Sequence, residues 1–403
     1  MERSATPAFP VPATETAGIA LRSIPACEQY EYEDRGPVGA MCATISPTNR
    51  LPPMSTSLDL GTPLALIQAP MAGAQDSALA LAVGAAGALG SVPAAMLDAA
   101  ALHAELMRMR DAGRPYNVNF FTHVPPEPDA AREAAWRAAL APYYGEFGID
   151  PATVPAGAGR RPFDAAFAEV LEAFRPPVVS FHFGLPAAPL LARVKALGSL
   201  VLSSATTLEE GLWLQANGAD AVIAQGLEAG GHRGHFLQKD VAQQSPTLPL
   251  VRALAQSLRV PVIAAGGIAD AAAARAALAA GAAAVQVGTS FLLCDEARTG
   301  PLHRARLRDT GAETALTNLF TGGLARGLFN RVMREIGPES ASAPIFPLAT
   351  AAIAPLRARA EAAGRDDFTP LWSGTDRSGC REAPAAAVVR ALAQAWGVSP
   401  AAT

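Results

Sequence analysis

From residue 58 onward, short apolar or β-branched runs alternate with alanine-rich stretches of helical period. The alternation constrains the fold more than any single motif does. Eight runs, at 64–69, 88–92, 116–121, 178–183, 200–204, 221–225, 260–264 and 284–287, read as short buried strands. Helical stretches at 77–86, 95–112, 187–196, 207–217, 247–257 and 271–280 fill most of the gaps. Several are followed by a glycine (Gly87, Gly113, Gly198, Gly218, Gly281) suited to a left-handed C-terminal cap. Eight strands with helices between them predict an α/β chain closed into a (β/α)8, or TIM, barrel rather than an open doubly wound sheet.

The flanks have a different texture. Residues 1–57 are rich in Pro, Thr, Ser and Glu and keep no period, which predicts a poorly ordered tail. They lack the basic start and apolar segment of a signal peptide, and Met41 and Met54 are alternative starts. The barrel is expected over 58–294. It has an insertion at 122–177 that carries Pro125, Pro126 and Pro128 and a helix around 130–141. Residues 295–403 read as a mostly helical region covering the active site.

Half of the residues are hydrophobic and 17% are charged, enough for a sizeable core. A net charge of −4 with no basic stripe argues against nucleic acid or an anionic membrane as partner. No stretch has the ~20 strongly apolar residues of a membrane span. The cysteines, Cys27, Cys42, Cys294 and Cys380, are too scattered for a zinc site or a disulfide framework. A reducing, cytoplasmic setting follows as the simpler expectation.

Chemistry is expected at the carboxyl ends of the strands. After the sixth strand stands Glu228-Ala229-Gly230-Gly231-His232-Arg233-Gly234, an imidazole in a glycine-rich turn. His232, with an ordinary pKa of ~6.5, is the best acid/base candidate. Glu228 and Arg233 are close enough in sequence to tune or orient it. Gln225 ends the strand before it and could reach a ligand carbonyl. Gly266 and Gly267 follow the seventh strand, Gly288 and Thr289 the eighth. Adjacent glycine loops there suit a phosphate held by backbone N–H groups, and two ordinary tight turns are the plainer reading.

Pro70 and Met71 follow the first strand, where Met71 could lie on a flat ligand or fill the core. Alternation in the third strand sends Asn119 inward, its amide needing a ligand or a neighbouring strand as partner. Ser180 and His182 share a face of the fourth strand and are tentative substrate-pocket residues, His182 being equally suited to a core position. His235 reads as a surface or supporting residue. His103, His123 and His303 have no polar constellation nearby in sequence. No second ligand stands at metal spacing from His232, so no metal is expected.

Taken together, QAPMAG (68–73), NFF (119–121), SFHFG (180–184), QGLEAGGHRG (225–234), PVIAAGGI (261–268), QVGTSFLLC (286–294) and TGGLARGLFNR (321–331) resemble the nitronate monooxygenases, formerly 2-nitropropane dioxygenases. The similarity runs over about 63–372, and the ordered set is highly specific. It implies FMN across the barrel mouth, with the phosphate at Gly266–Gly267 and Gly288–Thr289. Asn119, Gln225, Gly230 and Gln286 would fall on flavin contacts, with Pro70 and Met71 against the ring. His232 matches the family's catalytic histidine. The implied reaction is oxidation of alkyl nitronates by dioxygen to carbonyl compounds and nitrite, through a flavosemiquinone. His232 would remove the α-proton of a neutral nitroalkane, or orient the anion where only nitronate is used.

Three departures fall on the substrate pocket. Gly323 stands where relatives usually carry arginine, 344–347 (PIFP) has no tyrosine, and 371–375 (LWSGT) weakens the usual LWAGQ. A competing expectation is an NADH:quinone or enoyl-thioester reductase on the same scaffold. Another is a non-catalytic flavin or phosphate binder. The expected partners are a small-molecule substrate and dioxygen; homo-oligomer formation is left open.

Overall fold

The computed structural model describes residues 57–154 and 160–397. The predicted tail lies outside them apart from Ser57. The described strands are β1 (Leu66–Gln68), β2 (Gly90–Pro93), β3 (Tyr116–Phe121), β4 (Val178–His182), β5 (Leu200–Ala205), β6 (Ala221–Gln225), β7 (Gly231–His232), β8 (Val262–Ala265), β9 (Ala284–Val287), β10 (Thr314–Thr317) and β11 (Ala325–Leu328). Eight of them form one parallel sheet in the order β1-β9-β8-β6-β5-β4-β3-β2. The ends meet just before β2, where Leu89 N donates to Leu66 O and Gln68 N to Leu89 O, both at 2.9 Å. This near-closed ring is the predicted (β/α)8 barrel.

The helices are α1 (Ser77–Ala85), α2 (Ala99–Asp111), α3 (Ala130–Glu146), α4 (Ala165–Phe174), α5 (Ala188–Ala196), α6 (Leu208–Ala216), α7 (Thr247–Ser257), α8 (Ala271–Ala279), α9 (Pro301–Arg308), α10 (Arg331–Glu335), α11 (Thr350–Ala362) and α12 (Ala385–Ala393). Short polar caps set where several ring helices begin: Asp76, Asp98, Asp164, Thr207 and Asp270 each accept a bond from a first-turn amide. Asp98 explains why α2 starts later than the apolar pattern at 95 suggests. The cap glycines Gly87, Gly113, Gly198, Gly218 and Gly281 all have positive φ.

Two helices differ from the sequence reading. The unanticipated α4 is the ring helix after β3, and it packs between α2 and α5. At the other end of the chain, α12 returns to the ring between α8 and α1, where Ala385, Val388, Val389 and Leu392 share a core with Leu79, Val83 and Ala277. The described stretch 295–397 therefore divides between a cap and the eighth ring helix. It also contributes β10 and β11, which pair antiparallel with each other, and β11 pairs with β7.

The helix expected in the insertion is α3, and it leaves the barrel. Trp136, Leu140 and Tyr144 pack with Ile353, Leu356 and Phe368 in a separate core. The Tyr144 hydroxyl donates to Ala352 O at 2.7 Å, and Trp136 Nε1 to Ala349 O at 3.3 Å. Insertion and C-terminal region thus form one cap, because neither amphipathic segment buries its apolar face alone. Among the described residues no helix is long and apolar enough to cross a membrane.

Candidate active site

A cavity of about 590 Å³ opens at the carboxyl ends of the strands. Its lining includes Pro70, Met71, Asn119, Ser180, His182, Gln225, Gly230, His232, Gly266, Gly267, Gln286, Gly288 and Thr289. The proposed catalytic, cofactor and substrate-pocket residues therefore meet in one cavity, while Arg233 and His235 lie behind it.

The glycine–histidine turn is built from both sides. From below, Gln225 spans it: Nε2 donates to His232 O at 2.8 Å, and Oε1 accepts from Gly234 N at 2.7 Å. Its amide chiefly holds the turn, leaving one N–H for any ligand. From above, β11 pairs with β7, placing Ala325 opposite His232 and Arg326 opposite Gly231. The segment 373–375 packs so closely that a Cβ on Gly230 would sit 2.5 Å from Gly374 N. Only glycine fits there.

Arg233 and Glu228 do not orient the His232 ring. Arg233 is fully buried, and its guanidinium donates to Gln225 O and Gly226 O, each at 2.7 Å, and to Gln244 Oε1 at 2.8 Å. It staples the end of β6 to the turn. Glu228 instead accepts from Thr247 N at 2.8 Å and Thr247 Oγ1 at 2.7 Å. His235 is a supporting residue whose Nδ1 accepts from Gln244 Nε2 at 3.0 Å.

His182 uses both ring nitrogens within the protein. Nε2 lies 3.2 Å from His232 O, and Nδ1 lies 3.0 Å from Ser204 Oγ. A carbonyl can only accept, so Nε2 carries the proton and Nδ1 accepts from the serine hydroxyl. Burial pushes the His182 pKa down to about 4, which keeps that neutral tautomer. Ser180 Oγ accepts from Asn119 Nδ2 at 2.9 Å, so a neighbouring strand supplies a partner for Asn119.

The His232 ring faces the cavity among aromatic groups. Its centroid lies 5.1 Å from Phe346, 5.4 Å from Trp372, 6.1 Å from Phe121 and 6.3 Å from Phe183. Nε2 is 2.8 Å from Thr321 Oγ1. Burial, reinforced by the positive charge of Arg160 and by His182 and His123, holds its pKa well below the usual imidazole value. At neutral pH it is an uncharged imidazole.

Gly266 and Gly267, with φ of 120° and 64°, occupy conformations that favour glycine. Among the described residues, the Gly267 and Thr289 backbone amides donate to no protein acceptor. Gln286 Oε1 is buried with no partner. Free donors around a glycine cradle, with an orphaned amide oxygen beside it, form a site that a phosphate-bearing, hydrogen-bonding cofactor would satisfy.

Several residues in and around the cavity are given no role by the sequence reading. Thr321 is 89 positions from His232. His123, left aside in the sequence, stacks edge-on against Phe346 at 4.9 Å and has Nε2 3.1 Å from Arg160 O. His303 and Arg160 line the cavity itself. Phe183 is held at φ 72°, a conformation unusual for an aromatic residue, while Thr122 Oγ1 lies 3.0 Å from both His182 O and Phe183 O. At the departures, Gly323 and Phe346 are interlocked: a Cβ on Gly323 would lie 3.1 Å from the Phe346 ring.

The nitronate monooxygenase family model matches residues 57–395. A nitronate monooxygenase of Pseudomonas aeruginosa is 42% identical over 341 residues, covering 83% of this chain and 97% of the relative. One from Paraburkholderia phytofirmans is 39% identical over 338 residues, covering 83% and 92%. Among solved structures, nitroalkane oxidase from Streptomyces ansochromogenes superposes with a TM-score of 0.76 at 38% identity, covering 84% of this chain and 97% of that one. FabK from Thermotoga maritima shares the fold, with a TM-score of 0.63 at 24% identity and coverage of 84% and 94%. With the match spanning barrel and cap alike, this chain belongs to the nitronate monooxygenase family.

Proposed function

We propose that this protein is an FMN-dependent enzyme that oxidises alkyl nitronates with dioxygen to carbonyl compounds and nitrite. The observation that carries the reading is a neutral imidazole, His232, on an aromatic cavity that it shares with the glycine cradle and the orphaned Gln286 oxygen. Family membership supports it.

The Gly266–Gly267 and Gly288–Thr289 loops would hold the FMN phosphate, and Asn119, Gln225, Gly230 and Gln286 would meet its polar atoms. Pro70 and Met71 would lie against the ring. When bound, FMN supplies the electron acceptor, and this chain's residues supply binding and proton placement. His232 Nε2 is occupied by Thr321, and no protein group bonds Nδ1 among the described residues, so Nδ1 serves the substrate. With Nε2–H donating to Thr321, Nδ1 offers a lone pair for the α-proton of a neutral nitroalkane. With the Thr321 hydroxyl donating to Nε2, Nδ1–H supports a nitronate anion. Phe121, Phe183, Phe346 and Trp372 exclude water and strengthen either interaction.

Anaerobic mixing of the purified protein with a nitronate and, separately, with NADH tests this reading. Rapid flavin bleaching by nitronate, together with oxygen uptake and nitrite release in air, is expected. Bleaching by NADH alone would instead make the protein a reductase, and a colourless protein that takes up no FMN would remove the cofactor. His232→Asn should lower kcat/KM for a neutral nitroalkane by about 10²–10⁴-fold. Unchanged turnover would remove its role.

A further inference from the structure

Two guanidinium groups line the cavity, and they differ in one respect. Arg357 is paired with Glu361 at 2.7 Å. Arg160 has no carboxylate within 4.0 Å among the described residues. The residues that precede it, 155–159, are Pro-Ala-Gly-Ala-Gly and carry none. Its neighbour Arg161 turns away to pair with Asp164 at 2.5 Å. A partly buried cation at the cavity wall without a counter-charge is costly, and an anion entering the cavity would offset that cost.

The segment bearing Arg160 is pinned to the mouth. Phe163 N donates to Phe121 O at 2.8 Å. The Arg160 carbonyl accepts from His123 Nε2 at 3.1 Å, which fixes the protonated nitrogen of that ring. These bonds tie Arg160 to the end of β3, beside the aromatic groups around His232.

We propose that Arg160 is the anchor for the substrate's negative charge, its guanidinium fork holding the paired oxygens of the nitronate group while His232 Nδ1–H supports the same anion. A nitronate group is planar with two oxygens on one atom, the geometry that the guanidinium fork matches and that a lysine ammonium does not. The assignment rests on the nitronate reading and narrows it: the pocket selects the anion over its neutral parent nitroalkane. The same charge bears on His232, whose surrounding titratable and charged groups are Arg160, His182 and His123. Both of those histidines are held below the usual pKa, so above neutrality Arg160 is the cation that counts.

The test uses flavin-loaded protein with Arg160→Met, Arg160→Gln and Arg160→Lys. Calorimetric titration with sodium nitrate, a planar oxyanion, probes the anchor without turnover. Nitrate affinity should fall about 10- to 100-fold in the Met and Gln variants, with Lys retaining part of it. The nitronate KM should rise by a similar factor while kcat changes less, and the neutral nitroalkane should lose less than the anion. The acid limb of the Met variant's pH profile should move upward, that of Lys should not. Thermal melting identifies a variant that misfolds, and the other two then carry the comparison. Nitrate binding that is absent from wild type, or equal in wild type, Met and Gln, would overturn the anchor. So would equal losses for nitronate and nitroalkane. Nitrate binding that depends on Arg160 in a protein that turns over no nitronate would keep the anchor and overturn the activity.

Discussion

His182 donates from Nε2 to the backbone carbonyl of His232, 3.2 Å away, and the same carbonyl accepts from Gln225 Nε2 at 2.8 Å. One histidine thus holds the main chain of the other, leaving the His232 ring free for the cavity. Gly234 makes this possible: a Cβ there would lie 2.7 Å from His182 Cε1.

Replacing His182 by Phe keeps a flat ring but removes the bonds to His232 O and Ser204 Oγ. Denaturant unfolding should show a loss of about 1–3 kcal/mol. Turnover should fall with it, because the His232 carbonyl would lose one of its two side-chain donors. Unchanged stability and kcat would mean the hydrogen bond is incidental.

Stability should depend on pH in a defined window. His182, His235 and His303 have pKa values lowered to about 4, mainly by burial, and His232 is lowered too. The unfolded chain, with ordinary imidazoles near ~6.5, binds more protons than the folded one in between. The histidine contribution is therefore fully present above about 6.5 and is lost as pH falls toward 4. Urea midpoints measured across that range should decline; a flat profile would contradict the buried neutral histidines.

Arg233→Met should be among the most damaging single changes. It strips donors from Gln225 O, Gly226 O and Gln244 Oε1 in a buried setting, at a cost of about 3–5 kcal/mol. Arg233→Lys should rescue little, since an ammonium cannot span the three acceptors as a fork does. Thermal melting of both variants checks this, and full rescue by lysine would refute the staple.

Gly230→Ala should separate the cap from the turn. Its methyl would meet the backbone N of Gly374 at 2.5 Å, so overpacking of about 1–3 kcal/mol is expected together with weaker cofactor retention. Gly145→Ala in α3, where the added methyl meets nothing within 4 Å, should leave both unchanged. Melting temperature and flavin content of the two variants make the comparison.

The local signals in the sequence carried far. A glycine-rich turn after an apolar run was enough to place His232 on the cavity, and the glycines after the seventh and eighth runs were enough to place their loops there. They carried less well where a residue's meaning depends on what lies opposite it. Gln225 reads in the sequence as a ligand contact, whereas its amide chiefly holds the turn and keeps one N–H for the cavity. Glu228 and Arg233 stand beside His232 in the chain yet bond elsewhere. Thr321, Phe346 and Trp372 meet the imidazole from a cap assembled out of two distant segments, and no periodicity registers such a meeting.

By itself the sequence determined the eightfold alternation, the cap glycines and the side of the barrel where polar groups gather. All of these follow from periodicity and backbone preference within a few residues. Only the tertiary structure decided that α3 joins the C-terminal cap and that α12 completes the ring. It also decided that His232 is neutral with Nδ1 open and that Arg160 lines the cavity with no carboxylate partner among the described residues. Desolvation, charge and hydrogen-bond satisfaction are sums over neighbours in space. For these residues most of those neighbours are far away in the chain.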